Sequence, residues 1–352
     1  MNAREGGATS LGVRASRDAG AHLVDAGSIV DHGAFVADPS LVSTKDGFVL
    51  AFLSFRAHVG AGGEPYDMAV MTASSPSTSV HFGALTTVAP KSESVRYDHP
   101  QLAVTAGGVL LVVYRYEVWG HAGIAVARSE NGLDFQRETV VEGPGFGGTL
   151  PSICTASSGE QAFVVYVDPN VGVVARGSLD GVRFPITAVV SRPNEPVAIE
   201  GPSCVLQGED VWVSYGTTDR PFDSGASSPL DAIAVARSSD SGRRFGETIT
   251  LDLHRAQHAL HPRLVRRAVG AVPEVVSYRA REEGDPRGGL FLDRLTAEGG
   301  VTLASSLRFV LRRDDPAWMG DYLGVTTSAA GSFAAYVDNG GARARVVLTR
   351  LP

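Results

Sequence analysis

The chain has 352 residues, 43% of them hydrophobic and 20% charged, with a formal net charge of −7. That balance suits a globular protein with ample material for a large core. The negative charge, with no basic stripe carrying interleaved aromatics, argues against a nucleic-acid partner, and no apolar run is long enough to span a membrane. The two cysteines, Cys154 and Cys204, are too few for a disulfide framework or a cysteine zinc site. Both fall in expected inner strands and read as buried free thiols.

In chain order, Met1 to Ser10 is polar and Gly-rich and lacks the apolar core of a secretory signal. The expectation is a cytoplasmic protein, or a secreted one from which a signal has been trimmed. Leu11 to Ala15 and Gly27 to Val30 read as strands that compete for one outer position. Short apolar runs then alternate with Gly, Asp and Ser clusters. Phe48–Phe55, Val109–Tyr114, Ala162–Val167 and Val211–Tyr215 have the length and the β-branched and aromatic bias of strands. No long segment shows helical periodicity.

Two features recur at fixed distance, and recurrence outweighs any single motif. The first is a strand start with proline: Asp38-Pro39-Ser40-Leu41, His99-Pro100-Gln101-Leu102, Leu150-Pro151-Ser152-Ile153, Gly201-Pro202-Ser203-Cys204 and His261-Pro262-Arg263-Leu264. A divergent sixth copy is Asp321-Tyr322-Leu323-Gly324. The prolines are 61, 51, 51 and 60 residues apart (100−39, 151−100, 202−151, 262−202). Proline is expected at the first residue of each strand, before the ladder begins.

The second feature is a turn. Ser238 to Phe245 reads S-x-D-x-G-x-x-F. Ser129 to Phe135 and Ser178 to Phe184 are one residue shorter, Ser16 to Gly20 lacks the aromatic, and Ser75 to Phe82 is degenerate. Asp and Ser oxygens can accept from backbone N–H groups across such a turn while glycine supplies positive φ.

These turns, in phase with six strand starts, resemble the Asp-box repeats of the sialidase superfamily, and the resemblance covers nearly the whole chain. It implies an all-β fold: one domain over residues 1–352, a six-bladed β-propeller of four-stranded antiparallel blades, the last blade closed by N- and C-terminal strands. In that family the Asp-box is structural and lies away from the active face. The first strand of each propeller blade lines the central channel. The strand starts therefore offer Asp38, His99, Leu150, Gly201, His261 and Asp321 at one mouth, with Asp98, Glu200 and Tyr322 beside them. Polar groups converging in a concave site mark a ligand site.

Sialidases use a tyrosine nucleophile activated by a glutamate, an aspartate acid/base, and three arginines on the substrate carboxylate. By resemblance, Tyr322 matches the nucleophile, Glu200 the glutamate and Arg56 one arginine. The opening arginine is replaced within Ala37-Asp38-Pro39 and a second near Gly216 and Thr217, while Arg279 stands nearest the third. The aspartates and glutamates following Arg56 most closely are Glu64 and Asp67, not at the family's short spacing. An arginine triad gives planar, bidentate recognition of a carboxylate. Its loss implies a glycoside hydrolase-like activity on a substrate other than sialic acid. Catalysis is expected from Tyr322, Glu200, Asp321 and Asp38, and substrate binding from Arg56, Asp98, Trp119 and Arg279. The ligand would be a small molecule or glycan in the channel, with no nucleic-acid or membrane partner.

Two other readings stand beside this one. His99 and His261, with carboxylates, have the ligand types for a divalent metal ion and would make a metal-dependent enzyme. A propeller without its arginine triad also fits a noncatalytic glycan-binding module. Fold resemblance alone does not choose among chemistries.

Overall fold

A computed structural model of the chain describes residues 10–18, 20–32, 34–57, 65–78, 81–144, 149–193, 195, 197, 201–217, 232–246, 248–251, 258–266, 272–280, 290–296, 299–307, 323–328, 330–338 and 345–352. All regular structure among these residues is strand. Among these residues no helix is long and apolar enough to cross a membrane.

β1 (Leu11–Ala15) and β2 (Val24–Ile29) pair antiparallel. The two segments that compete in the sequence for one position are therefore partners in a two-stranded sheet, with Arg14 and Asp25 ion-paired across it. Six sheets follow. The first holds β3 (Phe35–Ser43), β4 (Gly47–Ala57), β5 (Pro65–Pro76) and β6 (Leu85–Ser92). The second holds β7 (Val95–Val104), β8 (Leu110–Val118), β9 (His121–Ser129) and β10 (Gln136–Pro144). The third holds β11 (Thr149–Thr155), β12 (Ala162–Asp168), β13 (Gly172–Ser178) and β14 (Ile186–Val189). The fourth holds β15 (Ser203–Gln207), β16 (Asp210–Thr217), β17 (Ala232–Ser238) and β18 (Thr248–Leu251). The fifth holds β19 (His258–Val265), β20 (Glu274–Ala280), β21 (Leu290–Thr296) and β22 (Gly299–Leu307). The sixth holds β23 (Gly324–Ser328), β24 (Gly331–Asp338) and β25 (Arg345–Arg350), three strands among the described residues. In every sheet the strands lie side by side in chain order. Six such successive meanders are the blades of a six-bladed β-propeller.

The chain divides into two compact units, residues 1–164 with 176–185, and residues 165–175 with 186–352. In the first unit, alternation along β4 separates two cores. Val49, Ala51 and Leu53 pack with Tyr97, Leu102, Val112 and Tyr114 of the second sheet, whereas Leu50 and Phe52 pack with Ile29, Val36 and Met71, against which Leu11 and Val13 of β1 rest. A strand buried on both faces needs an unbroken apolar run, which Phe48–Leu53 provides. In the second unit, Trp212, Ile233 and Val235 join Leu264, Val275, Tyr278 and Leu292, and then Ala334 and Tyr336.

Except for Pro202, which stands directly before β15, the repeated prolines do not open their strands. Pro39, Pro100 and Pro262 lie inside β3, β7 and β19, at register shifts where two residues face one. Asp38-Pro39 stands against Phe52, His99-Pro100 against Tyr114, and His261-Pro262 against Ser277. A bulge is the other place where a strand tolerates proline, since the ladder is already interrupted there. The serine that follows proline has its own use. Ser40 Oγ accepts from the Leu102 N–H at 2.9 Å and Ser203 Oγ from the Leu264 N–H at 3.1 Å, each tying one inner strand to the next.

The recurring turn also has one bonding scheme. Ser178 Oγ donates to Asp180 Oδ1 (2.9 Å) and Ser238 Oγ to Asp240 Oδ1 (2.8 Å). The aspartate oxygen then accepts from Val182 and Arg183 in one turn and from Arg244 in the other. Ser129 and Asn131 repeat the scheme with an amide oxygen, and Ser16 and Asp18 repeat it near the N-terminus. Backbone N–H groups hold the Asp180 and Asp240 carboxyls below the usual carboxylate range. The cysteines correct the sequence reading. Cys154 and Cys204 are buried as expected, but they are disulfide-bonded rather than free thiols.

Candidate functional site

In the first unit, the bulges of β3 and β7 bring three candidate residues together. One donor atom from each of Asp38, Asp98 and His99 lies within 4.8 Å of the others. Asp38 and His99 occupy the same bulge position of successive sheets, and Asp98 is the residue before His99. The backbone is left-handed at both bulge residues, with φ of 56° at Asp38 and 55° at His99. Non-glycine residues seldom adopt that region, and bulges often re-aim side chains beside functional sites. The His99 side chain is only 5% exposed, whereas that of Asp98 is 49% exposed. The group thus has a buried imidazole end and a wet carboxylate end. Two carboxylates and an imidazole at this spacing can transfer protons or hold a cation.

Behind the β7 bulge stands Tyr114, fully buried, in edge contact with Tyr97 at 5.7 Å between ring centroids. Its hydroxyl has no hydrogen-bond partner among the described residues. Burial pushes that hydroxyl up to about 12, so it is neutral at pH 7.

Arg56 ends the apolar run of β4 with its side chain half exposed. Its Nε lies 3.7 Å from Asp67 Oδ2, and Asp67 has a left-handed backbone of its own. Asp67 is therefore the aspartate that the fold brings to Arg56, although eleven positions separate them (67−56). The signal available in the sequence was strand pairing: β4 and β5 are antiparallel, with Arg56 facing Tyr66. Trp119 sits at the β8–β9 turn, 84% exposed, so it caps no neighbouring sheet. An exposed aromatic face of this kind suits a sugar ring.

In the second unit, His261 repeats the bulge geometry with φ of 52°, but its setting is different. It is buried and edge-on to Tyr278 at 6.2 Å, and Tyr278 accepts the Val337 N–H at 3.1 Å. Among the described residues the three-donor group contains His99 and not His261. Gly216 and Thr217 pair with Ile233 and Ala232 at the end of β16, where the resemblance leads one to look for an arginine. Arg279 pairs with Ala259 and Phe291 in β20, and its side chain lies outside the described residues, as do Glu200, Asp321 and Tyr322 entirely.

No family model matches the chain, and no curated protein matches it. Solved structures do. A protein of unknown function from Dyadobacter fermentans is 14% identical, with a TM-score of 0.54 over 91% of this chain and 96% of that one. The α-L-arabinanase of Penicillium chrysogenum, complexed with arabinobiose, is 15% identical, with a TM-score of 0.54 over 84% and 87%. The sialidase of Trypanosoma rangeli, complexed with sialic acid, is 12% identical, with a TM-score of 0.51 over 97% of this chain and 57% of that one. This chain thus spans a little over half of that sialidase. The likeness at these identities is one of fold: a propeller of the kind that glycosidases, a sialidase and an arabinanase among them, also have.

Proposed function

We propose that the chain is a glycoside hydrolase-like enzyme acting on a glycan other than sialic acid. The observation that carries the reading is the convergence of Asp38, Asp98 and His99 at the bulges of successive inner strands. The exposed Trp119 and the Arg56–Asp67 pair add an aromatic face and a charged pair suited to sugar hydroxyls. The sialidase-like fold supports the reaction class by analogy.

In this reading Glu200 removes the proton from Tyr322, whose oxygen attacks the anomeric carbon. The glycosidic C–O bond breaks as Asp321 or Asp38 gives its proton to the leaving oxygen. Water then displaces the tyrosine, and the same carboxylate takes up its proton. Arg56, Asp98, Trp119 and Arg279 position the sugar. A neutral or hydroxyl-rich substrate fits better than a carboxylated one, because two positions of the arginine triad correspond by resemblance to Ala37 and to the Gly216–Thr217 segment.

The test is a panel of aryl glycosides and plant and microbial glycans with wild type and Tyr322→Phe. Turnover by wild type with loss of at least about a hundredfold in the variant is expected. Full retention of activity in Tyr322→Phe removes the mechanism. Binding without turnover across the panel replaces the enzyme with a noncatalytic glycan-binding propeller.

A further inference from the structure

We infer that Asp38, Asp98 and His99 form a binding site for a divalent transition-metal ion. The three donors come from different bulges or neighbouring positions, yet lie within 4.8 Å of one another. Two donors held at about 2.0–2.2 Å from a common ion are at most about 4.4 Å apart. Ion binding therefore requires the donors to draw together by a few tenths of an ångström. A purely acidic surface cluster lacks what this group has, a histidine packed into the protein with its side chain 5% exposed.

The donor set indicates the ion class. Calcium and magnesium take oxygen ligands, whereas one imidazole with two carboxylates suits zinc, manganese or iron(II). Three protein ligands leave open positions, and Asp98 at 49% exposure puts them on the solvent side. A sugar hydroxyl or a water can enter there. With the ion bound, Asp38 is a ligand and no longer a proton donor, so protonation of a leaving group falls to Asp321. The ion site itself does not rest on the hydrolase reading. A metal-dependent enzyme of another class would use it equally well.

The experiment uses the full chain without a histidine tag, stripped with chelator and titrated calorimetrically with Zn²⁺ and with Mn²⁺ in separate runs. About one ion per chain is expected, with at least about tenfold weaker binding in Asp38→Asn, Asp98→Asn and His99→Gln. His22→Gln, which alters an exposed histidine paired with Asp18, should bind as wild type does. His99 is buried, so the half-exposed Asp98 supplies a variant that leaves packing in place, and circular dichroism of each variant checks folding. Dissociation constants above about 1 mM for both ions overturn the site. So does wild-type affinity in both aspartate variants. Binding of Ca²⁺ or Mg²⁺ in preference to Zn²⁺ and Mn²⁺ overturns the ion class. Because the readout is binding, failure here and absence of glycoside turnover are separate results.

Discussion

Asp38 and His99, 61 residues apart in the chain (99−38), share one left-handed backbone conformation, with φ of 56° and 55°. Leu150 and His261 follow at 43° and 52°, each again directly before a proline. Four non-glycine residues thus hold a conformation that costs an L-residue roughly 1–2 kcal/mol. The surrounding ladders impose it, because the register resumes immediately beyond the bulges of β3, β7 and β19. The cost falls on the same positions that carry the candidate donors.

Glycine should therefore be the better replacement at these sites. Leu150→Gly is expected to be more stable than Leu150→Ala by about 1 kcal/mol, and Asp38→Gly more stable than Asp38→Ala by a similar amount. In an ordinary strand position the order is reversed. Urea denaturation of the four variants decides, and alanine variants more stable than the glycine variants would show that the ladder does not enforce the conformation in solution.

Tyr114 and Tyr278 make a contrasting pair. Both are fully buried, and burial pushes both hydroxyls up to about 12. Tyr278 accepts a hydrogen bond from Val337, while the Tyr114 hydroxyl has no partner among the described residues. At pH 7, Tyr114→Phe should be neutral or stabilising by up to about 1 kcal/mol, and Tyr278→Phe should cost about 1–3 kcal/mol by stranding the Val337 N–H. Thermal melts of the two variants separate these outcomes.

The same tyrosines set an alkaline limit. Their folded-state values lie above the ordinary value of 10, so the unfolded chain ionises first. The stability this lends is complete below about pH 10 and is lost as pH rises toward 12, by roughly 2–3 kcal/mol for each group. Melting temperature measured from pH 8 to pH 12 should fall over that window, and less steeply in Tyr114→Phe. A slope unchanged by the substitution would remove Tyr114 as a contributor.

The blades were legible because their punctuation repeats. Prolines mark five of the strand starts and Ser-Asp-Gly turns recur between several of them, and the apolar runs between them are long enough for strands and too short for most helices. The bulges were not legible. Proline satisfies both a strand start and a bulge, and only the ladder beyond it, such as Phe35 to Ala37 pairing with Leu53 to Phe55, tells them apart. Site geometry was half legible. Position in the repeat singled out Asp38 and His99, but their convergence with Asp98 depends on how consecutive sheets pack. Arg56 and Asp67 likewise meet through a hairpin whose length hides the pairing. The disulfide was missed because two cysteines 50 residues apart (204−154) carry no spacing signal, and buried strand cysteines are usually free.

Ser203 offers a test of the tie between inner strands. Its hydroxyl accepts the N–H of Leu264, which is itself buried, and Ser203 is only 7% exposed. Water has little access to replace the lost acceptor. Ser203→Ala should cost about 1–3 kcal/mol, and Ser203→Thr, which keeps the hydroxyl, should cost less unless the added methyl clashes. Ser40→Ala, removing the acceptor for Leu102 in the other unit, should show a similar loss. Hydrogen exchange at the Leu264 and Leu102 amides gives a local readout, and wild-type protection in the alanine variants would assign the ties no weight.

The disulfide makes the remaining prediction. Denatured protein prepared without reductant should show no free thiol, against two after reduction, since the chain has two cysteines and both are disulfide-bonded. Closing a loop of 50 residues (204−154) restricts the unfolded chain by about 4 kcal/mol in the chain-entropy account. The Cys154→Ser, Cys204→Ser double variant should lose stability of that order, and wild type in reductant should match it. Two reactive thiols in protein purified under air would remove the staple. Absent thiols with an unchanged denaturation midpoint after reduction would leave the bond in place but assign it no thermodynamic role.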